Sequence, residues 1–346
     1  MAYTTIDKPS DYFNTKLYTG TGSSQSITGV GFQPDFVWLK GRTGTAYYHQ
    51  LYDAIRGTTK ALFTPVTNAE ETVSGLTAFG SDGFTVGSSP TVNNNGVSTV
   101  AWNWKAGGTA SSNTDGSITS SVSSNTTSGF SICTFTDVAT SGNQTFGHGL
   151  GTTPSMVIVK RRNTSDFWWV WHKDLSSDTG HYLKLNESSA EISASGTWGA
   201  GINATTVGLR GASFSAATSN TFVAYCFAEK QGYSKFGSYV GNGNADGTFV
   251  YTGFKPAWVL TKKTSGTSSW IMMDNKRNTY NVMNKFLDAY DAGAEGSLDS
   301  FDFLSNGFKL RTSNGDRNAS GATYIYACFA ENPFVTGSSG VPATAR

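Results

Sequence analysis

Charge is scarce in this chain of 346 residues. Asp, Glu, Lys and Arg together make up 14% of it, well under the usual quarter. The polar surface must therefore be built from Ser, Thr, Asn and Gly. Lys and Arg number 25 against 24 Asp and Glu, a net charge of +1. No basic block is present to track a phosphate backbone, which argues against nucleic acid as a partner. No apolar run approaches the roughly 18 residues that a membrane span requires, so no membrane insertion is expected. Cysteine is limited to Cys133, Cys226 and Cys328. An odd, scattered set argues against a disulfide framework and fits synthesis in a reducing cytosol. The start, Met1-Ala-Tyr-Thr-Thr-Ile-Asp-Lys-Pro9, has neither the basic nor the apolar region of a signal peptide.

The motifs of chemistry are equally thin. The histidines are His49, His148, His172 and His181. Their spacing matches no established zinc pattern, although His172, Asp174 and His181 form the one conceivable ligand set. The sequence contains no G-x-S-x-G, and no His/Asp motif surrounds a cysteine. We therefore expect no enzyme, no metal and no cofactor. The histidines are read as lone, partly exposed side chains, and the cysteines as small buried hydrophobes.

What is abundant is glycine, with 40 residues, and aromatic side chains, at 13%. Many turns and many flat apolar groups favour short strands. The chain also repeats itself. Gly31-Phe-Gln-Pro-Asp-Phe-Val-Trp-Leu-Lys40 is matched by Gly151-Thr-Thr-Pro-Ser-Met-Val-Ile-Val-Lys160 and by Gly253-Phe-Lys-Pro-Ala-Trp-Val-Leu-Thr-Lys262. The prolines are 120 and 102 residues apart. Leu17-Tyr-Thr-Gly20, Thr134-Phe-Thr-Asp137 and Ser238-Tyr-Val-Gly241 precede them. Tyr52-Asp53, Lys173-Asp174 and Met273-Asp274 follow. Each copy closes on an apolar strand in which Ala101, Ala224 and Ala327 correspond.

The repeat predicts an all-β fold of three tandem β-sandwich modules, jelly-roll or lectin-like, over 11–106, 117–230 and 233–334. Residues 1–10 form an N-terminal arm, 107–116 a Gly/Ser-rich linker and 335–346 a C-terminal tail. Each module has aromatic area enough to fold alone. Period-two alternation makes Phe36–Lys40 a central strand. Asp82-Gly83 and Asn306-Gly307 read as hairpin turns, with glycine supplying positive φ. Minor helical turns are expected at 67–72 and 284–292.

Four sets of residues are candidates for a role. Asp53 with Arg56, and Asp274 with Arg277, are three apart in two copies. That recurrence points to a structural ion pair or turn cap rather than acid/base catalysis. Phe167-Trp-Trp-Val-Trp171 puts Phe167, Trp169 and Trp171 on one face, with Trp168 and Val170 on the other. Trp168, Trp169 and Trp171 are thus candidates for core packing, a subunit interface or a sugar-stacking platform. Lys40, Lys160 and Lys262 end the repeated strand and read as snorkelling edge lysines that blunt strand pairing. The arm through Phe13 is the candidate docking element.

Tyr18-Thr-Gly, Gly31-Phe-Gln-Pro-Asp-Phe-Val-Trp-Leu-Lys40, Leu51-Tyr-Asp-Ala-Ile-Arg-Gly57 and Phe79-Gly-Ser-Asp-Gly-Phe-Thr85 resemble an uncharacterised repeat domain of marine tailed-phage, cyanophage-like virion proteins. The opening Asp7-Lys-Pro-Ser-Asp-Tyr-Phe-Asn-Thr-Lys16 is similar to the start of such proteins. Copy two departs from the pattern at Leu150-Gly-Thr-Thr153, and no Arg follows Asp174 by three. The resemblance implies a virion structural protein assembled in the host cytoplasm and displayed on the particle exterior. A tail appendage (fibre, spike or host attachment component) is favoured over capsid decoration. Its expected partners are other virion proteins, further copies of itself (a homo-oligomer such as a trimer) and host surface glycan. A carbohydrate-binding array is the second reading. A polysaccharide depolymerase is the third, for which no pair of carboxylates stands out.

Overall fold

The computed structural model describes residues 3–44, 47–138, 142–214, 219–336 and 342. It is almost entirely β, with only single-turn helices at Pro90–Asn93, Gly211–Phe214 and Gly315–Asn318 and a 3-10 turn at Pro9–Asp11 among the described residues. The expected helical turns at 67–72 and 284–292 are absent. Glu71–Thr72 and Met283–Asp288 are strands instead. Pairing with neighbouring strands decides both: Glu71–Thr72 lies against Lys60 and Ala61, and Met283–Asp288 is held between Trp270–Asp274 and Gly296–Leu304, so tertiary pairing overrides the local helical spacing.

The sheets are drawn from consecutive stretches of the chain. In the first, Phe13–Thr19 pairs with Ser98–Trp104, which pairs with Phe36–Gly41, then Gln50–Asp53 and Lys60–Phe63. The same order recurs as Phe130–Thr136, Thr221–Phe227, Met156–Arg161, Trp168–His172 and His181–Lys184. It recurs again as Ser234–Val240, Thr323–Pro333, Phe254–Lys263, Trp270–Asp274 and Met283–Asp288. We call the three stretches segments and their five strands opening, closing, lysine, cross and outer. The lysine strand lies between the closing and cross strands in every segment. Both its faces are buried, so apart from its lysine end its residues are mainly apolar on both.

Register fixes which residues correspond. Lys40, Lys160 and Lys262 stand opposite Val100, Val223 and Ile325. Trp102, Tyr225 and Ala327 are therefore equivalent, as are Trp104, Phe227 and Phe329. The counterpart of Ala101 and Ala224 is Tyr326, not Ala327. On the cross strand Phe36, Met156 and Trp258 face Asp53, His172 and Asp274. The counterpart of the two aspartates is thus His172 rather than Asp174. Similar neighbouring letters had hidden a shift of one or two residues.

Period-two alternation then gives each main sheet two different apolar faces. One face packs on a private cluster: Ile27 to Ala101, Ile118 to Ala228, or Tyr239 to Ala330. The other faces of all three sheets meet in a single central cluster. There the rings of Trp104, Phe227 and Phe329 form a triangle with centroids 6.3, 5.9 and 5.6 Å apart. A pseudo-threefold axis runs between them. The central face of each sheet is covered by the other two, with Ile6 of the arm, so a segment taken alone would leave that face bare.

Glycines mark close approaches. Ser81-Asp82 and Ser305-Asn306 are the two-residue turns, and Gly83 and Gly307 open the next strands. A Cβ at Gly83 would lie 2.0 Å from the Ile27 carbonyl oxygen, and one at Gly307 2.1 Å from that of Val250. Gly83 also has the expected positive φ, Gly307 does not, and room for a paired strand requires glycine at both. Pro34 and Pro154 precede their strands, whereas Pro256 sits inside its strand at a bulge, where a missing donor is tolerated.

Within 107–116, Ser111–Asn113 forms a strand on Ser120–Asn125, extending the second sheet. The arm is not free to dock. Tyr3 donates to the Gly253 carbonyl (2.5 Å) and Thr4 to that of Gln231 (2.7 Å), while Ile6 and Phe13 enter the central cluster. The arm therefore straps the first segment to the third. Most of 335–346 lies outside the described residues.

Candidate functional site

The chemistry-bearing side chains gather at the three joints between segments, and each joint uses the same positions in cyclic order. The lysines come first. Lys40, Lys160 and Lys262 are 1%, 0% and 0% exposed, so they are neither edge residues nor snorkelling ones. Lys40 donates to the Ala292 carbonyl in the third segment (2.8 Å) and to that of Tyr47 (2.5 Å). Lys160 donates to Thr67 in the first segment (3.0 Å) and to Asp166 (2.9 Å). Lys262 donates to Ser188 in the second (3.3 Å) and to Lys263 (2.7 Å). A buried ammonium must be solvated by something, and here backbone carbonyls replace water. Burial lowers these amines to about 8, 8 and 7 respectively.

Opposite each lysine on the cross strand sits a ring nitrogen that bonds the same neighbour. Trp168 donates to the Phe63 carbonyl (2.8 Å) and Trp270 to that of Lys184 (2.9 Å). His49 Nε2 lies 3.1 Å from the Asp288 carbonyl oxygen. Burial holds the His49 imidazole well below its ordinary pKa. The neutral ring therefore donates from Nε2, while Nδ1 accepts from Trp38 Nε1 at 2.8 Å. Seven residues past each accepting carbonyl comes a glutamate. The amides of Glu70, Glu191 and Glu295 bond the carbonyls of Arg162, Thr264 and Arg42 at 2.7, 3.0 and 2.9 Å.

At two joints the glutamate completes a buried ion network. Glu70 takes Arg162 through both oxygens (3.0 and 3.0 Å), and also Arg56 Nη1 at 3.0 Å. Glu295 takes Arg42 (2.8 and 2.9 Å) and Arg277 Nη1 at 3.3 Å. Arg56 and Arg277 reach back to Asp53 and Asp274, all four with side chains fully buried. Each aspartate caps its own turn: Asp53 Oδ1 accepts the amides of Ile55 and Arg56, and Asp274 Oδ1 those of Lys276 and Arg277. Each also takes a donor from the next segment's closing strand, Tyr225 Oη for Asp53 (2.8 Å) and Trp102 Nε1 for Asp274 (3.0 Å). The Asp–Arg pairs are therefore links between segments as well as turn caps.

The joint between the second and third segments is built differently. His172 replaces the aspartate, Leu175 the first arginine, Thr264 the second and Ala327 the donor. Replacing the aspartate and both arginines together leaves no fully buried charge without a partner, which is the costly outcome; the glutamate that stays, Glu191, is only half-buried. His172 keeps the capping role, accepting the Asp174 amide on Nδ1 (3.1 Å), and its Nε2 lies 3.2 Å from the Tyr326 carbonyl oxygen. Burial holds this imidazole down to about 4.

The remaining candidates are placed as follows. Trp168 is in the central cluster, and Trp169 and Trp171 are in the private one. All three are buried, so none is available to stack on a sugar. His49, His148 and His172 are buried rather than partly exposed. His172, Asp174 and His181 are not gathered around one point: among the described residues no group of three or more His, Cys, Asp or Glu is placed to hold a metal ion. The three cysteines are buried thiols. Burial, and then the neighbouring Cys133, pushes the Cys226 thiol well above its ordinary pKa, the opposite of an activated nucleophile. No helix among the described residues is long and apolar enough to cross a membrane.

Two features escaped the sequence reading. One is the recurrent glutamate, whose signal was there: Ala69-Glu70, Ala190-Glu191 and Ala294-Glu295 are spaced by 121 and 104. The other is an open groove of about 570 Å³ beside the added strand, lined by Ser112, Ser121, Thr134 and Thr221 together with Phe135 and Arg162.

A family model described as a domain of unknown function, DUF7483, matches residues 8–333. The chain belongs to this family. The match spans all three segments, so the DUF7483 unit is the whole ring and not one repeat. No curated protein and no solved structure matches the chain.

Proposed function

We propose that this DUF7483 chain is an assembly component of a tailed-phage virion. It is built of three tandem β-sandwich modules closed into a ring and acts by surface complementarity rather than chemistry. The observation that supports this most is the use made of the reactive groups. The buried lysines, the two Asp–Arg pairs, His49 and His172 direct their polar atoms into joints between segments or into turn caps. What faces outward is a sparsely charged surface of the kind that displays and packs. In this reading the ring sits on the particle exterior, as a tail attachment element in preference to a capsid decoration. It contacts other virion proteins and further copies of itself. A second reading, host glycan binding, is favoured by the open groove of mixed Ser, Thr and apolar lining beside Ser112 and Thr134.

The test is labelling of intact purified particles with an antibody to the chain, viewed by electron microscopy. Label at the tail tip or collar is the expected result. Even label over the head would move the assignment to decoration. Particles that lack the chain by both labelling and mass spectrometry would refute the virion reading.

A further inference from the structure

We infer that the joint between the second and third segments is a docking site for a guanidinium group, supplied by an arginine side chain of a partner protein. The partner rests on the assembly reading above; the site does not. The template for it is inside the same chain. At the two other joints the equivalent carboxylate grips an arginine through both oxygens, and the arginine comes from the residue whose carbonyl accepts the glutamate's own amide. At the third joint the amide bond is kept, Glu191 to Thr264 at 3.0 Å, but Thr264 has no guanidinium to offer. The second arginine that Glu70 and Glu295 receive is Leu175 here. Glu191 is left with the amide (2.6 Å) and hydroxyl (3.2 Å) of Ser176, and no ion pair to it is found among the described residues.

In place of the arginine stem lies an open groove of about 320 Å³, lined by Asp174, Ser176, His181, Glu191 and Thr264. Its chemistry suits a planar cation. Two carboxylates and one imidazole line it. Lys173, beside Asp174 in sequence, is already paired with Glu229 at 2.9 Å. A carboxylate presented to a fork of N–H donors selects guanidinium over ammonium, because only the former fills both oxygens in one plane.

The experiment titrates the full chain with N-acetyl-arginine amide and, separately, N-acetyl-lysine amide, followed by NMR shifts of backbone amides around Glu191. Saturable binding of the arginine compound is expected, with affinity about tenfold above that of the lysine compound. Thr264→Arg should abolish it, because the chain's own guanidinium then fills the groove, and should raise the melting temperature. Glu191→Gln should abolish binding without that rise. Absence of saturable shifts near Glu191 would overturn the inference. So would binding that survives in Thr264→Arg, a variant whose folding the melting curve reports independently. Failure here leaves the particle-labelling result untouched, so the two proposals fall separately.

Discussion

Replacing Arg56 by leucine, the residue at the equivalent Leu175, tests how the ion networks hold the joints. Arg56 directs its Nε at Asp53, Nη1 at the Lys60 carbonyl and Glu70, and Nη2 at the Leu51 carbonyl and Tyr225. Glu70 keeps Arg162 when it is lost. Asp53 keeps only hydrogen bonds and becomes a fully buried charge without a counter-ion. Breaking a buried pair in this way costs about 3–5 kcal/mol. A chain of this size unfolds with an entropy of about 0.7 kcal/mol/K, so the melting temperature should fall by roughly 4–7 °C. The double variant Asp53→His/Arg56→Leu transplants the third joint's solution, in which a neutral imidazole caps the turn and needs no cation. It should be more stable than Arg56→Leu alone, with a coupling energy of about 2 kcal/mol or more across the cycle. Denaturant titration of wild type, both single variants and the double variant measures this. Additivity within about 0.5 kcal/mol, or a cost for Arg56→Leu below about 1 kcal/mol, would refute the argument that the joints diverged by exchanging whole charge sets.

Three further outcomes are expected. The unfolded chain binds more protons at Lys40, Lys160 and Lys262 than the folded chain does between their lowered values and 10.5. Their contribution to stability is therefore greatest at high pH and is lost as pH falls through about 8 to 7. Stability should rise from pH 7 to pH 9 by on the order of 5 kcal/mol, read as a higher melting temperature, and Lys262→Met should flatten the lower half of that rise. The isolated stretch 117–230 should give no dispersed NMR spectrum as a monomer, because its central face, with Trp168, Tyr225 and Phe227, loses its cover. Deleting residues 1–8 removes the Tyr3 and Thr4 bonds and the buried Ile6. Calorimetry should show a loss of about 2–4 kcal/mol; unchanged stability would make the arm a free docking element after all.

The strand content and the threefold repeat were legible because they rest on local signals. Period-two alternation placed Trp168 and Trp169 on opposite faces, and the Gly-x-x-Pro…Lys pattern located all three lysine strands. The role of the lysines was not legible. A lysine ending an apolar strand looks the same in sequence whether its ammonium reaches water or a carbonyl some 250 residues away, as Lys40 does at Ala292. Landmarks chosen by letter also misled where copies had diverged: Asp174 looks like Asp53, but His172 holds its place. The joints could be read only once register was known, because their partners are set by the closure of the ring and by nothing local.

That closure within one polypeptide has a consequence for how the protein can change. In a ring of identical subunits every substitution appears three times, so a joint cannot be altered without altering all of them. Here each joint is encoded separately. Two can keep the molecule shut while the third, with its histidine, leucine and threonine, drifts toward a different task. Asymmetry is thus available to this architecture one codon at a time.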